Sequence, residues 1–293
     1  METAAQPSAP SSPERERAAL LNLLADDDPA VYAAIRERIM AQGPAACEWL
    51  RPHTLSSDPV LRKRAHAIIR HFNCRTTDRE FTAFCLRHGD NFDLETAVLL
   101  LARTTYPEVN VAAYGALLDE FAETLRPRLT AGEAPREQLA MINVYLYKEL
   151  GFRGNQADYF DPRNSYLNQV LDRRMGNPIS LCLVYLLMAR RLKLPITGIG
   201  LPGHFVCRYQ SALDAIYIDA FDRGRLLTKA DCVQYLVHSA FGLHEQFLAP
   251  VTPRRLLMRI CGNLHQSYLH LELNDEATRM KAYLAMLTRF NAA

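Results

Sequence analysis

The sequence predicts an α+β fold, predominantly helical, with a small antiparallel sheet late in the chain. Three observations carry that prediction. Most of the 293 residues read with a helical period. After Pro195 the period changes and two short segments alternate, before helical patterns resume. Apolar residues make up 49% of the chain, enough for a real core at this length.

Taken in order, residues 1–14 are rich in Ala, Pro and Ser and are expected to form a disordered tail. A helical segment follows over 15–90. Asp28-Pro29 opens one helix and Asp58-Pro59 another, and each pair is followed by an amphipathic run. Asp suits the cap and Pro the first helical position. Two such units resemble HEAT-type helical repeats; a generic helical bundle reads as well.

The central part spans 91–250. Two helices carry Leu94 to Leu101 and Val111 to Phe121, and a third, Leu139 to Leu150, stops at Gly151. Gly151 and Gly154 read as turn glycines. Asn164-Ser165 is read as the cap of a helix carrying Leu167, Val170 and Leu171. Asn177-Pro178 opens the most apolar helix, Ile179 to Leu192, which should be buried. Arg173-Arg174 and Arg190-Arg191 read as solvated helix edges. Ile196–Gly200, His204–Tyr209 and Ala215–Phe221 read as strands, with Asp219 on the face of Tyr217 and Phe221. A helix spans Lys229–His238, and residues 251–293 form a helical pair broken near Asn274-Asp275.

Composition narrows the function classes. Charged residues are 23% of the chain and the net charge is +2, which leaves no footprint for nucleic acid or an anionic membrane. The seven cysteines are scattered without a C-x-x-C pair, which fits a reduced compartment. The N-terminal stretch lacks a signal-peptide core, and no apolar run approaches the about 18 residues of a membrane span. A cytoplasmic location is expected. The nine histidines make no ligand pattern, so neither a metal nor another cofactor is expected.

Three separated strings carry a resemblance: YFDPRNSYLNQVLDRRMGNPISL, LPGHFVCRY and YIDAFDRGRLL. In this order they resemble the SirB-type branch of the transglutaminase-like superfamily, from about Leu94 to a tetratricopeptide-like C-terminal pair. The resemblance implies a papain-type core. It also implies a site in which a thiol at a helix start is served by a histidine, itself oriented by a carboxylate.

His204 and Asp219 carry over to the family's His and Asp positions. The cysteine position, two residues after Gly176, is Pro178, which has neither a nucleophile nor a backbone N–H. Cys182, a turn deeper on the same helix, and Ser180 in its first turn are the substitutes on offer. Asn164, Asn177 and Ser180 are candidates to line the pocket. The reading is a non-catalytic transglutaminase-like module that binds a ligand, protein or peptide. The alternative is a hydrolase or transamidase using Cys182 or Ser180 with His204 and Asp219. A pure helical scaffold is a third.

Overall fold

A computed structural model describes residues 12–90, 92–129, 132–211, 215–239, 242 and 244–289. The described chain divides between Thr77 and Asp78 into two compact units. Most of the segment expected to be a tail lies outside the described residues, but Ser12 to Glu14 belong to the first helix.

The first unit holds α1 (Ser12–Leu24), α2 (Pro29–Ala41) and α3 (Ala46–Leu50), and α4 (Pro59–Arg87) contains the division point. Both Asp-Pro starts do what their chemistry predicts. The Asp28 carboxylate accepts the Ala30 N–H at 2.8 Å, and the Asp58 carboxylate accepts that of Val60 at 2.8 Å. Leu20, Leu24, Ile39, Leu50, Ile68 and Phe72 close a separate core. The Arg64 guanidinium donates to the Leu24 carbonyl at 2.8 Å and finishes the end of α1.

After the last turns of α4, the second unit continues with α5 (Leu94–Arg103), α6 (Val111–Leu125) and α7 (Pro135–Asn143). One π turn, Val144–Glu149, follows α7, and Gly151 leaves it at φ +75°. A two-residue parallel ladder comes next, β1 (Arg153–Gly154) with β2 (Met175–Gly176), the two flanking α8 (Leu167–Arg173). It is too short to alternate, so no period announces it. Then comes α9 (Pro178–Leu192), apolar on nearly every face and buried along most of its length.

Strands β3 (Ile196–Ile199), β4 (Val206–Gln210), β5 (Ala215–Asp219) and β6 (Arg225–Leu227) form an antiparallel meander in chain order. Alternation sorts its two faces. Cys207, Ile216 and Ile218 join the main core with α9, while Val206 and Tyr217 pack with Cys232 and Leu236 of α10 (Lys229–His238). The chain closes with α11 (Pro253–His270) and α12 (Asn274–Thr288). Fully buried Arg254 donates to the carbonyls of Cys85 at 3.0 Å, His88 at 2.7 Å and Leu287 at 3.2 Å, which finishes α4 and reaches the end of α12.

The fold is thus α+β and predominantly helical, with four corrections of detail. His204 precedes its strand, which starts at Val206. Tyr166, not Asn164 or Ser165, occupies the cap position of α8. Gly154 is a strand residue, and a Cβ there would meet the Phe221 ring at 2.6 Å.

The arginine pairs are more than solvated edges: Arg190 is half-exposed but ion-paired, and Arg173, Arg174 and Arg191 are partly buried. Arg191 bonds Glu95 on α5 at 2.6 Å and Asp119 on α6 at 2.6 Å, and Arg190 bonds Glu95 at 2.7 Å. Arg173 reaches Asp161 at 3.1 Å, and the Arg174 guanidinium lies 4.6 Å from the Phe121 ring centre. Sequence gives a charge at a helix end. Only tertiary structure supplies the acid or ring it meets.

Candidate functional site

His204 sits on a tight turn. Gly203 takes φ +71°, a left-handed value that a side chain resists, and the His204 N–H closes the turn on the Leu201 carbonyl at 3.2 Å. Asp219 ends β5. The backbone turns sharply there, so its Oδ1 accepts the N–H groups of Phe221 at 3.0 Å and Asp222 at 3.2 Å. Its Oδ2 lies 2.8 Å from His204 Nε2. The pair is therefore assembled by two turns at the ends of β-structure, and the carboxylate is fixed by its own backbone before it meets the ring.

The electrostatics of Asp219 follow from these bonds. Burial pushes its carboxyl up. The hydrogen bond and charge of His204, with the two backbone donors, more than offset this and hold it below the ordinary value. An ionised Asp219 can orient the ring and stabilise an imidazolium.

The pair opens on a cavity of about 470 Å³ lined also by Val206, Arg225, Asp231 and Tyr235. Tyr235 flanks the His204 ring at 6.1 Å between centres and Phe221 meets it edge-on at 6.5 Å. Asp219 shares the face of Tyr217 and Val206, so this cavity lies on the α10 side of the sheet. No residue of α9 is among its described lining.

The start of α9 is chemically occupied. Asn177 caps it, its Oδ1 accepting the Ser180 N–H at 3.0 Å while Ser180 Oγ accepts the Asn177 N–H at 3.0 Å. The Ser180 hydroxyl donates to the Asn164 carbonyl at 2.6 Å. Asn177 Nδ2 donates to Ser165 Oγ at 2.8 Å, and Asn155 Nδ2 donates to Asn164 Oδ1 at 3.1 Å. All five side chains are buried. The structure therefore joins Asn164, Asn177 and Ser180 in a satisfied internal network.

Cys182 is fully buried, its thiol donating to the Phe205 carbonyl at 3.3 Å. Burial, then the neighbouring Cys207 thiol, push its pKa well up, away from the thiolate a nucleophile needs. The His204 cavity does hold a thiol that sequence reasoning missed, Cys232 on α10. Burial pushes Cys232 up to about 11, so it stays neutral. Only its spacing from Thr228 and Leu236 was visible, and that reads as core. Among the described residues, no three His, Cys, Asp or Glu side chains are grouped to hold a metal, and no helix is long and apolar enough to cross a membrane.

A His–Asp pair on a small sheet, following a buried central helix, is the arrangement the three strings imply. A family model described as transglutaminase-like superfamily matches residues 112–262, just over half of the chain. The chain belongs to the transglutaminase-like superfamily. The match includes α9, the whole sheet and both members of the pair.

A UPF0162 protein of Xylella fastidiosa is 36% identical over 197 residues, covering 65% of this chain and 70% of its own. One of Vibrio cholerae is 30% identical over 207 residues, covering 69% of this chain and 68% of its own. F-box only protein 21 of Mus musculus is 40% identical over 142 residues, which is 45% of this chain and 22% of that protein. No solved structure matches the chain.

Proposed function

We propose that this transglutaminase-like chain is a non-catalytic, intracellular binding module of the SirB-type branch, taking a protein or peptide partner at the His204–Asp219 cavity. One observation carries the reading: the position where the superfamily's thiol is expected is Pro178, buried in a completed helix cap. Its neighbours do not supply a replacement, since the Ser180 hydroxyl is committed to Asn164 and the Cys182 thiol is buried and held neutral. Tyr159 and Phe160 add exposed aromatic surface, and Tyr159 meets Phe221 edge-on at 6.4 Å, beside the His204 ring. The similar stretch within F-box only protein 21 is a small part of a longer protein, which fits a portable module.

The intact His–Asp bond favours one competing reading, a hydrolase or transamidase that draws its nucleophile from Cys182 or Ser180. A turnover assay separates the two. The purified full chain is incubated with fluorogenic esters, peptide amides and glutamine–amine pairs, beside His204→Ala. No turnover above that variant is expected. In parallel, peptide display should enrich binders on the wild-type chain that are lost on Asp219→Asn. Turnover abolished by His204→Ala would overturn the binding reading.

A further inference from the structure

A second and larger cavity, about 700 Å³, lies against α11, the 3₁₀ turn Glu245–Leu248 and the segment that follows it. Its walls combine two chemistries. Phe247, Val251, Met258 and Leu284 are apolar, and Arg255 and Arg259 bring two guanidinium groups. None of its described lining residues is acidic. Neither arginine has a carboxylate within ion-pair distance among the described residues, whereas Arg190, Arg191 and Arg254 each do.

The placement of Arg259 is built rather than incidental. Its Nη2 donates to the carbonyls of Leu201 and His204, both at 2.8 Å, and its guanidinium lies 5.3 Å from the Phe205 ring centre. Gly200 makes room for it, because a Cβ there would stand 2.5 Å from Nη1. Burial pulls its pKa down, and no carboxylate is among the groups that push it back. A partly buried cation held by carbonyl dipoles and a ring face, with no anion beside it, retains an unmet charge. Arg255 sits one turn earlier on the same face, and like charges at that spacing cost a helix about 0.2–0.5 kcal/mol. Helix stability therefore does not account for the pair.

We propose that this cavity binds a carboxylate with an apolar body, its acid group between Arg255 and Arg259 and its body against Phe247, Met258 and Leu284. The inference is independent of the reading of the His204–Asp219 cavity. The acid is either a free small molecule or the C-terminal carboxylate of an apolar peptide, and the same two arginines recognise both. Nη2 of Arg259 is held by the Leu201 and His204 carbonyls, which fixes the guanidinium at the cavity wall.

Calorimetric titration of the full chain with 4-phenylbutanoate and with 4-phenylbutan-1-ol tests this. The acid should bind at least tenfold more tightly than the alcohol. Arg255→Gln, at an exposed position, should remove most of that preference, and Arg259→Lys should weaken the acid further while the circular dichroism spectrum stays that of the wild type. Equal binding of acid and alcohol, or an acid preference untouched by Arg255→Gln, overturns the proposal. A short apolar peptide, free or amidated at its C-terminus, identifies the source. Tighter binding of the free peptide than of phenylbutanoate assigns a chain terminus, the reverse assigns a small acid, and binding of neither refutes the site.

Discussion

Asn177→Ala probes how firmly the start of α9 is closed. The substitution removes the acceptor of the Ser180 N–H, a cap worth about 1 kcal/mol. It also strips the donor from Ser165 Oγ, which is buried, and an unsatisfied buried group costs about 1–3 kcal/mol. Together these give about 2–4 kcal/mol, felt first in the helix they start. At about 1.4 kcal/mol per tenfold, amides of α9 should exchange roughly 30- to 700-fold faster by native-state hydrogen exchange. Asn177→Asp is the discriminating partner. It keeps an oxygen toward Ser180, places a negative charge at the helix start, and lets the Ser165 hydroxyl turn and donate to it. Its effect should be less than half that of alanine. An alanine variant that exchanges within threefold of wild type, or an aspartate variant no better than alanine, refutes the account of a sealed helix start.

Asp219 is held below its ordinary value, so its stabilising contribution is full above the unfolded value of about 3.9 and is lost as pH falls through the lower folded value. The wild-type advantage over Asp219→Asn in urea unfolding should shrink below about pH 4; a difference that stays constant with pH contradicts the bonding described. Native alkylation followed by mass spectrometry should modify Cys47 and Cys74, which are partly exposed, well before Cys85, Cys182, Cys207, Cys232 and Cys261, which are buried; fast labelling of Cys182 would reopen it as a nucleophile. Gly224 takes φ +76°, and a Cβ there would lie 2.2 Å from Asn143 Oδ1. Asn143 Nδ2 donates to the Gly224 carbonyl at 2.7 Å, so Gly224→Ala should destabilise by about 2–4 kcal/mol, combining left-handed strain with a broken contact; a midpoint in urea equal to wild type would show that the turn after Asp219 is loosely held.

The parts legible in the sequence are those set by local chemistry. The Asp-Pro starts, the Asn177 cap, the stop at Gly151 and the helix over Lys229–His238 depend on neighbours a few residues away. The His204–Asp219 bond was legible for another reason. Three strings in a fixed order carry the topology, and the alternation of β5 put Asp219 on one face with Tyr217. What stayed hidden depends on distant partners. The β1–β2 ladder joins residues 22 apart, Arg153 and Met175 by register, over too few positions to show a period. Arg190 and Arg191 look like a solvated helix end until Glu95 is placed beneath them. Arg259 reads as one more polar position on an amphipathic helix, and nothing near it in sequence says that its guanidinium lies beside Gly200 and holds the His204 carbonyl.

The missing thiol acquires a sharper meaning from this geometry. Reading the sequence places the vacancy at Pro178, and the natural search is for a substitute on the same helix. Yet the described cavity that His204 and Asp219 line contains no residue of α9, and the thiol it does contain, Cys232, comes from α10. A substitution at Pro178 alone therefore puts a thiol into a buried cap rather than into that cavity. Pro178→Cys should gain no turnover on fluorogenic esters, and its added thiol should alkylate no faster than Cys182. Turnover that appears in Pro178→Cys and disappears in the double variant with His204→Ala would place the helix start and the histidine in one working site, and would make the proline the single lesion separating this chain from an enzyme.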